Sequence, residues 1–159
     1  MRIIVISDTH GNYAKLRDVL ERHQNDANMV VFLGDGLRDL DLVQDEFPKL
    51  EYHAVAGNCD FGRMEKRVDL VFAGGKRILI THGDQFSVKY STERLLHLAR
   101  ENNAAIVLFG HTHCSMTRYE DGIYLMNPGS PSCPRDSKAG YGIIDIMPNG
   151  IFTNLVELK

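Results

Sequence analysis

Long apolar runs are missing from this chain. The longest, such as Ala104 to Phe109, fall far short of the ~20 residues that a membrane helix needs. Residues 1–6 lead straight into a polar motif, with no apolar segment followed by a cleavage site, so no membrane anchor or secretory leader is expected. Cysteine is scarce and odd in number: Cys59, Cys114 and Cys133 show no C-x-x-C spacing. A disulfide framework is therefore not expected, and reduced thiols point to the cytoplasm. A basic excess is absent too. Eighteen Lys and Arg stand against 21 Asp and Glu, a formal charge of −3, which argues against a general nucleic-acid binder. A local cationic pocket stays open, because bound ions lie outside that count. No internal repeat, low-complexity tract or linker interrupts the sequence.

What is present suits an ordinary globular protein, with 43% apolar and 25% charged residues in 159. That length predicts one domain, 1–159, burying roughly 70% of its extended-chain surface without a disulfide staple. Arg2 to Ser7 reads as a strand apolar on both faces, which belongs in a sheet covered on both sides. Leu16, Val19, Leu20 and His23 then recur at helical spacing, Met29 to Leu33 forms a second strand, and Leu37, Leu40, Val43 and Phe47 make another helical stripe stopped by Pro48. Tyr52 to Ala56 is a third strand. Val68 to Ala73 and Lys76 to Thr81 flank Gly74-Gly75, a hairpin signal. A helix over 91–102, capped by Ser91 or Thr92, precedes a strand from Ala105 to Phe109. The last third is hairpins: Met116–Tyr119 with Ile123–Met126, and Tyr141–Ile146 with Ile151–Leu158. Helical connections early and hairpins late predict an α/β fold of two mixed β-sheets packed face to face with helices outside.

Each apolar strand ends in a polar cluster: Asp8-Thr9-His10-Gly11, Gly34-Asp35-Gly36, Gly57-Asn58-Cys59-Asp60, Thr81-His82-Gly83-Asp84 and Gly110-His111-Thr112-His113. Ligands of open α/β sheets bind beyond the carboxyl ends of the strands, so the five clusters are expected to meet at one edge. Asp8 with His10, and His111 with His113, are two apart on segments expected to be extended, so each pair can face one ion. Asp35 has two oxygens, enough to bridge two ions; Asn58 adds a carbonyl oxygen and His82 an imidazole. Seven oxygen and nitrogen donors, with no thiolate among them, are too many for one tetrahedral ion. Mixed carboxylate, amide and imidazole donors suit Mn²⁺, Fe²⁺, Ni²⁺ or Zn²⁺. Adjacent glycines let the backbone turn sharply and approach a ligand closely.

The ordered blocks D-x-H, G-D, G-N-x-D, H-G and G-H-x-H, from Asp8 to about Ser130, resemble the calcineurin-like metallophosphoesterase superfamily. The short length and Asn127-Pro128-Gly129-Ser130 resemble its small single-domain branch of YfcE-type phosphodiesterases. The resemblance implies a four-layer sandwich and a metal-dependent phosphodiesterase. A hydroxide bridging two divalent ions would attack a small phosphate ester, with Mn²⁺ the expected activator in vitro. It implies one ion on Asp8, His10, Asp35 and His113, a second on Asp35, Asn58, His82 and His111, and the latter four as the catalytic set. It also implies a dimer or tetramer. One departure stands out: many members have His where this chain has Cys59, and that His is thought to protonate the leaving group. Weak turnover of monoesters with poor leaving groups and better turnover of activated diesters are therefore expected.

Around the blocks, Asp60 is equally readable as a residue orienting a ligand or as part of a turn, and Asp84 as serving its loop. Thr9 and Thr112 are expected to support neighbouring donors. Asn12 could reach a phosphate or cap the helix at 13–23. Arg38 and Arg135 could touch substrate, though exposure is the default for arginine. Asp39, Asp41, Asp45 and Glu46 read as a solvated acidic face, and His23, His53 and His97 as packing or surface residues. Two other functions compete. A retromer subunit on this fold serves mainly as a protein-interaction scaffold but has lost part of the donor set; a nuclease would use the same chemistry but lacks its basic patch here.

Overall fold

Alternation explains how one strand serves two cores. In the computed structural model, which describes residues 1–135 and 138–159, β1 (Arg2–Ile6) sends Ile4 and Ile6 to one face of its sheet and Ile3 and Val5 to the other. Side chains of period two on a doubly covered strand must be apolar on both faces, as this one is.

The chain continues through α1 (Tyr13–His23), β2 (Met29–Phe32), α2 (Leu37–Val43), β3 (Glu51–Ala54), β4 (Val68–Ala73) and β5 (Lys76–Thr81). There follow α3 (Glu93–Glu101), β6 (Ile106–Phe109), β7 (Ser115–Glu120), β8 (Ile123–Pro128), β9 (Gly140–Met147) and β10 (Gly150–Glu157). One sheet has the order β10-β9-β1-β2-β3, with β1, β2 and β3 parallel and β9 antiparallel to β1. The other has the order β4-β5-β6-β8-β7, with β5, β6 and β8 parallel and the outer pairs antiparallel. Both sheets are mixed, as expected.

Three apolar layers hold these elements. Ile3, Val5 and Val31 of the first sheet meet Ile78, Ile80 and Leu108 of the second. Ile4, Ile6 and Phe32 pack under Leu16, Val19 and Leu20 of α1 and Leu40 of α2. Leu79, Val107 and Leu125 pack under Leu95, Leu96 and Ala99 of α3. The order helix, sheet, sheet, helix is the four-layer sandwich. Each fully buried large aliphatic side chain contributes about 1.5–3 kcal/mol.

The predicted elements are all present, with shifted ends. The helix expected to run to Phe47 stops at Val43, and a 3-10 turn over Gln44–Glu46 delivers Phe47 to the core instead. Asn12 caps α1 by accepting the Lys15 N–H at 3.2 Å, and Ser91, not Thr92, accepts from the first turn of α3. Gly74 and Gly75 both take positive φ, 56° and 74°, as a two-residue hairpin turn requires.

Candidate metal centre

The carboxyl ends of β1, β2, β3, β5 and β6 meet at one edge of the paired sheets, and the backbone ties them together there. The Asp8 N–H donates to Gly34 O at 3.0 Å, the His10 N–H to Asp35 O at 2.9 Å, and the Gly110 N–H to His82 O at 2.9 Å. Two glycines make the approach feasible. A Cβ on Gly57 would fall on Asp35 Oδ1, and one on Gly110 would fall on Ser7 Oγ.

Five of the seven donors named from sequence adopt left-handed backbone: Asp8 (φ 59°), His10 (47°), Asp35 (57°), His111 (68°) and His113 (60°). The D-x-H and H-x-H segments are thus curled, where extended chain was expected. Such backbone costs of order 1–3 kcal/mol per residue and persists where its surroundings enforce it, as functional sites do.

All seven side chains come together. Asp8 Oδ1 lies 3.2 Å from His113 Nε2, 3.8 Å from His10 Nε2 and 4.0 Å from His82 Nε2. Asp35 Oδ2 stands between two imidazoles, 3.8 Å from His10 Nε2 and 3.5 Å from His82 Nε2. The Nε2 atoms of His10 and His113 are 3.2 Å apart, and Asn58 Oδ1 is 3.1 Å from His82 Nε2. The His111 ring centroid is 5.1 Å from that of His82, and its backbone N–H donates to Asp8 Oδ2 at 3.0 Å.

Hydrogen bonding fixes what these atoms offer. His82 Nδ1 lies 2.7 Å from Leu33 O and His113 Nδ1 2.7 Å from Cys133 O. A carbonyl can only accept, so each Nδ1 carries the proton, and in the neutral rings Nε2 turns a lone pair inward. Those lone pairs face carboxylates, and with the rings neutral the buried Asp8 Oδ1 finds no hydrogen-bond donor among the described residues. A cluster of acceptors facing one another needs a shared positive charge. A proton can answer part of this. The hydrogen bond to Asp8 raises the His113 pKa against burial; burial favours protonation of Asp8, yet His113, His82 and Ser7 together hold its pKa below the usual carboxylate range. Burial and the nearby His82 lower that of His111. One cation per three or four donors satisfies the whole cluster, so the residues fit divalent ions. Donor atoms within 4.8 Å of one another form three overlapping triads: Asp8–His10–His113, Asp8–Asp35–His82 and His10–Asp35–Cys59.

Cys59, outside the seven donors, sits beside His10 and Asp35 in the third triad, and burial and then Asp35 push its thiol up to about 11. Asp39 corrects an expectation. It does not belong to a solvated acidic face: it is buried and accepts the Thr9 hydroxyl at 2.5 Å and the Gly11 N–H at 3.0 Å. The signal was available, since Asp39 lies four residues before Val43 and so over the same buried face of α2. Thr112 receives Asn127 Nδ2 at 3.0 Å, and Asn127 also donates to Gly110 O at 2.8 Å. Ser130 Oγ donates to Asp8 O at 2.7 Å, which brings the Asn127–Ser130 segment to the site. The Arg67 guanidinium joins Gly57 O, at 3.0 Å, to the Asp84 carboxylate, so Asp84 does serve its loop. His23 pairs with the Tyr141 hydroxyl, His53 with Glu51 and His97 with Glu101, outside the cluster. A cleft of about 310 Å³ opens from His10 and Asp35 past Cys59 to Arg38, Phe61 and Arg63.

A sandwich of two mixed sheets with a histidine–carboxylate cluster at its strand ends defines a metallophosphoesterase type of protein. The sequence profile of the calcineurin-like phosphoesterase superfamily domain matches residues 1–149, and the chain belongs to that superfamily. It is 33% identical over 136 residues, 85% of this chain and 78% of the relative, to the probable metallophosphoesterase YsnB of Bacillus subtilis. It is 26% identical to phosphodiesterase YfcE of Escherichia coli, over 91% of this chain and 88% of that protein. A crystal structure of a predicted phosphoesterase from Streptococcus pneumoniae superposes with a TM-score of 0.80 at 27% identity, covering 96% of each chain. Vps29 from Entamoeba histolytica, solved with zinc, shares the fold alone: TM-score 0.78, 21% identity, 97% of each chain. Among the described residues no helix is long and apolar enough to cross a membrane.

Proposed function

We propose that this protein is a dinuclear metal-dependent phosphodiesterase. The observation that carries the reading is the buried ring of acceptors around Asp8 Oδ1 and Asp35 Oδ2, which needs positive charge at its centre. Asp8, His10, Asp35 and His113 would hold one ion; Asp35, Asn58, His82 and His111 would hold the other, with Asp35 shared. Divalent ions so held would supply Lewis acidity toward phosphate oxygens and acidify the attacking water. The chain's own part is to pre-orient the donors. The Leu33 and Cys133 carbonyls fix the tautomers of His82 and His113, and the Cys59 N–H holds Asp35 Oδ1 at 2.7 Å. Mn²⁺ is our choice of activator in vitro, with Ni²⁺, Fe²⁺ and Zn²⁺ as alternatives that the donor chemistry accepts. With Cys59 in place of an acid, activated diesters should turn over better than monoesters with poor leaving groups.

Two other readings fare worse. A scaffold on this fold has no need of a complete acceptor cluster, and here all seven donors converge. A nuclease would need a basic track for its polymer, and the net charge is −3. Three cysteines, odd in number and without C-x-x-C spacing, accord with a reducing compartment, the cytoplasm.

The test is hydrolysis of bis(para-nitrophenyl) phosphate by metal-stripped protein with Mn²⁺, Ni²⁺ and Zn²⁺ added back, beside Asp35→Asn. We expect Mn²⁺ to restore turnover and the variant to lose it about a hundredfold or more. No restoration, with the variant equal to wild type, would turn the assignment to the scaffold.

A further inference from the structure

The cleft beyond the donor cluster has two groups with no structural employment. Asp39 is spent on Thr9 and Gly11, Asp60 on four backbone N–H groups, and Arg63 on Asp41 and Glu65. Arg38 lines the same cleft, and among the described residues no hydrogen bond or ion pair holds it. Phe61 also lines it with 82% of its surface exposed, an arrangement that stabilises nothing in the fold. Its sequence position explains why it stands there: Asp60 anchors the loop after β3 to the start of α2, and the next residue is thrown over the cleft. A charge without a partner and an aromatic face without packing, side by side with a metal-binding cluster, are what an aryl phosphate ester would need.

We infer that Phe61 and Arg38 form a subsite for the organic group of the substrate, which is a phosphate ester bearing a flat aromatic group, an aryl ring or a nucleobase. Phe61 stacks on the ring, and Arg38 offsets the charge of the phosphoryl group. The volume of about 310 Å³ sits at the small end of ligand sites, matching one ring and one phosphate, not a polymer. This inference rests on the phosphodiesterase reading above.

The test measures inhibition of Mn²⁺-supported bis(para-nitrophenyl) phosphate hydrolysis by methyl phosphate, phenyl phosphate and thymidine monophosphate. In wild type, phenyl phosphate or the nucleotide should inhibit about tenfold more tightly than methyl phosphate, the usual scale of one aromatic stack; whichever is tighter assigns aryl or nucleobase. Phe61→Ala should abolish the difference, Phe61→Tyr should keep it, and Arg38→Ala should weaken all three alike. Met64→Ala is the control: Met64 is 96% exposed but does not line the cleft, and inhibition should not change. Equal inhibition by all three esters, or a preference that survives Phe61→Ala, overturns the subsite and leaves the phosphodiesterase standing. Absence of any metal-supported turnover overturns both.

Discussion

Asp60 has no lone pair to spare for an ion. Its Oδ1 accepts the N–H groups of Gly36 and Leu37 at 3.0 and 2.9 Å, and its Oδ2 those of Asp35 and Gly57 at 2.7 and 2.8 Å. It therefore sets the position of Asp35 from behind, which decides between the two roles that the sequence left level. Asp60→Ala leaves those donors unmatched at a cost of about 2–3 kcal/mol. We expect a fall in Tm of roughly 5–10 °C and a 10–100-fold loss of Mn²⁺ affinity by calorimetry; Asp60→Asn should fall between. Cys59→His tests the departure from the family pattern. Turnover of para-nitrophenyl phosphate, a monoester, should rise by up to about a hundredfold, and an unchanged rate would remove Cys59 from the account. The seven donors were legible because strand-end glycines and ordered blocks mark them. Asp39 was not, because its neighbours Asp41, Asp45 and Glu46 share its chemistry and only its helical phase sets it apart.

Strand ends carry the strain of the site, and the sheets pin them. Alternating apolar residues made the strands readable, whereas the left-handed turns at Asp8, His10, His111 and His113 were not. Asp and His enter this region more readily than most residues, but a pair of them two positions apart at each of two strand ends is set by the packed surroundings. Gly110→Ala should expose the fit: a Cβ there meets Ser7 Oγ and then Asp8 Oδ2. We expect about 1–3 kcal/mol of lost stability in denaturant melts, together with weaker metal binding. The Arg2–Asp145 pair stitches β1 to β9 through two hydrogen bonds of 2.9 and 3.0 Å, and the bond to Arg2 holds the Asp145 carboxyl below its ordinary range. A depressed folded pKa means that the stabilisation is present above the unfolded value of about 3.9 and is lost as pH falls through the folded value. Asp145→Asn should thus cost about 1 kcal/mol or less near neutral pH, after allowance for solvent screening. Melting curves of variant and wild type should converge in strong acid.

For the molecule as a whole, periodicity foretold two facing sheets and outer helices, and the four layers with three apolar cores between them follow from it. Strand order did not follow: β9 and β10 return to pair beside β1, a contact spanning nearly the whole chain that no local pattern encodes. The donors come from the ends of five strands in two sheets and meet only in the folded chain, so metal binding and folding should be linked. At ions near a hundred times their Kd, stabilisation should reach about 2.7 kcal/mol, a Tm rise of roughly 5–10 °C that a chelator reverses.

The central claim is that one cup of side chains seats a pair of ions, and anomalous diffraction at the manganese edge from Mn²⁺-soaked crystals tests it most directly. Two peaks ~3.5–4 Å apart, with Asp35 reaching both, are the expected result. A single peak, or manganese bound away from Asp8, Asp35 and His82, would contradict it.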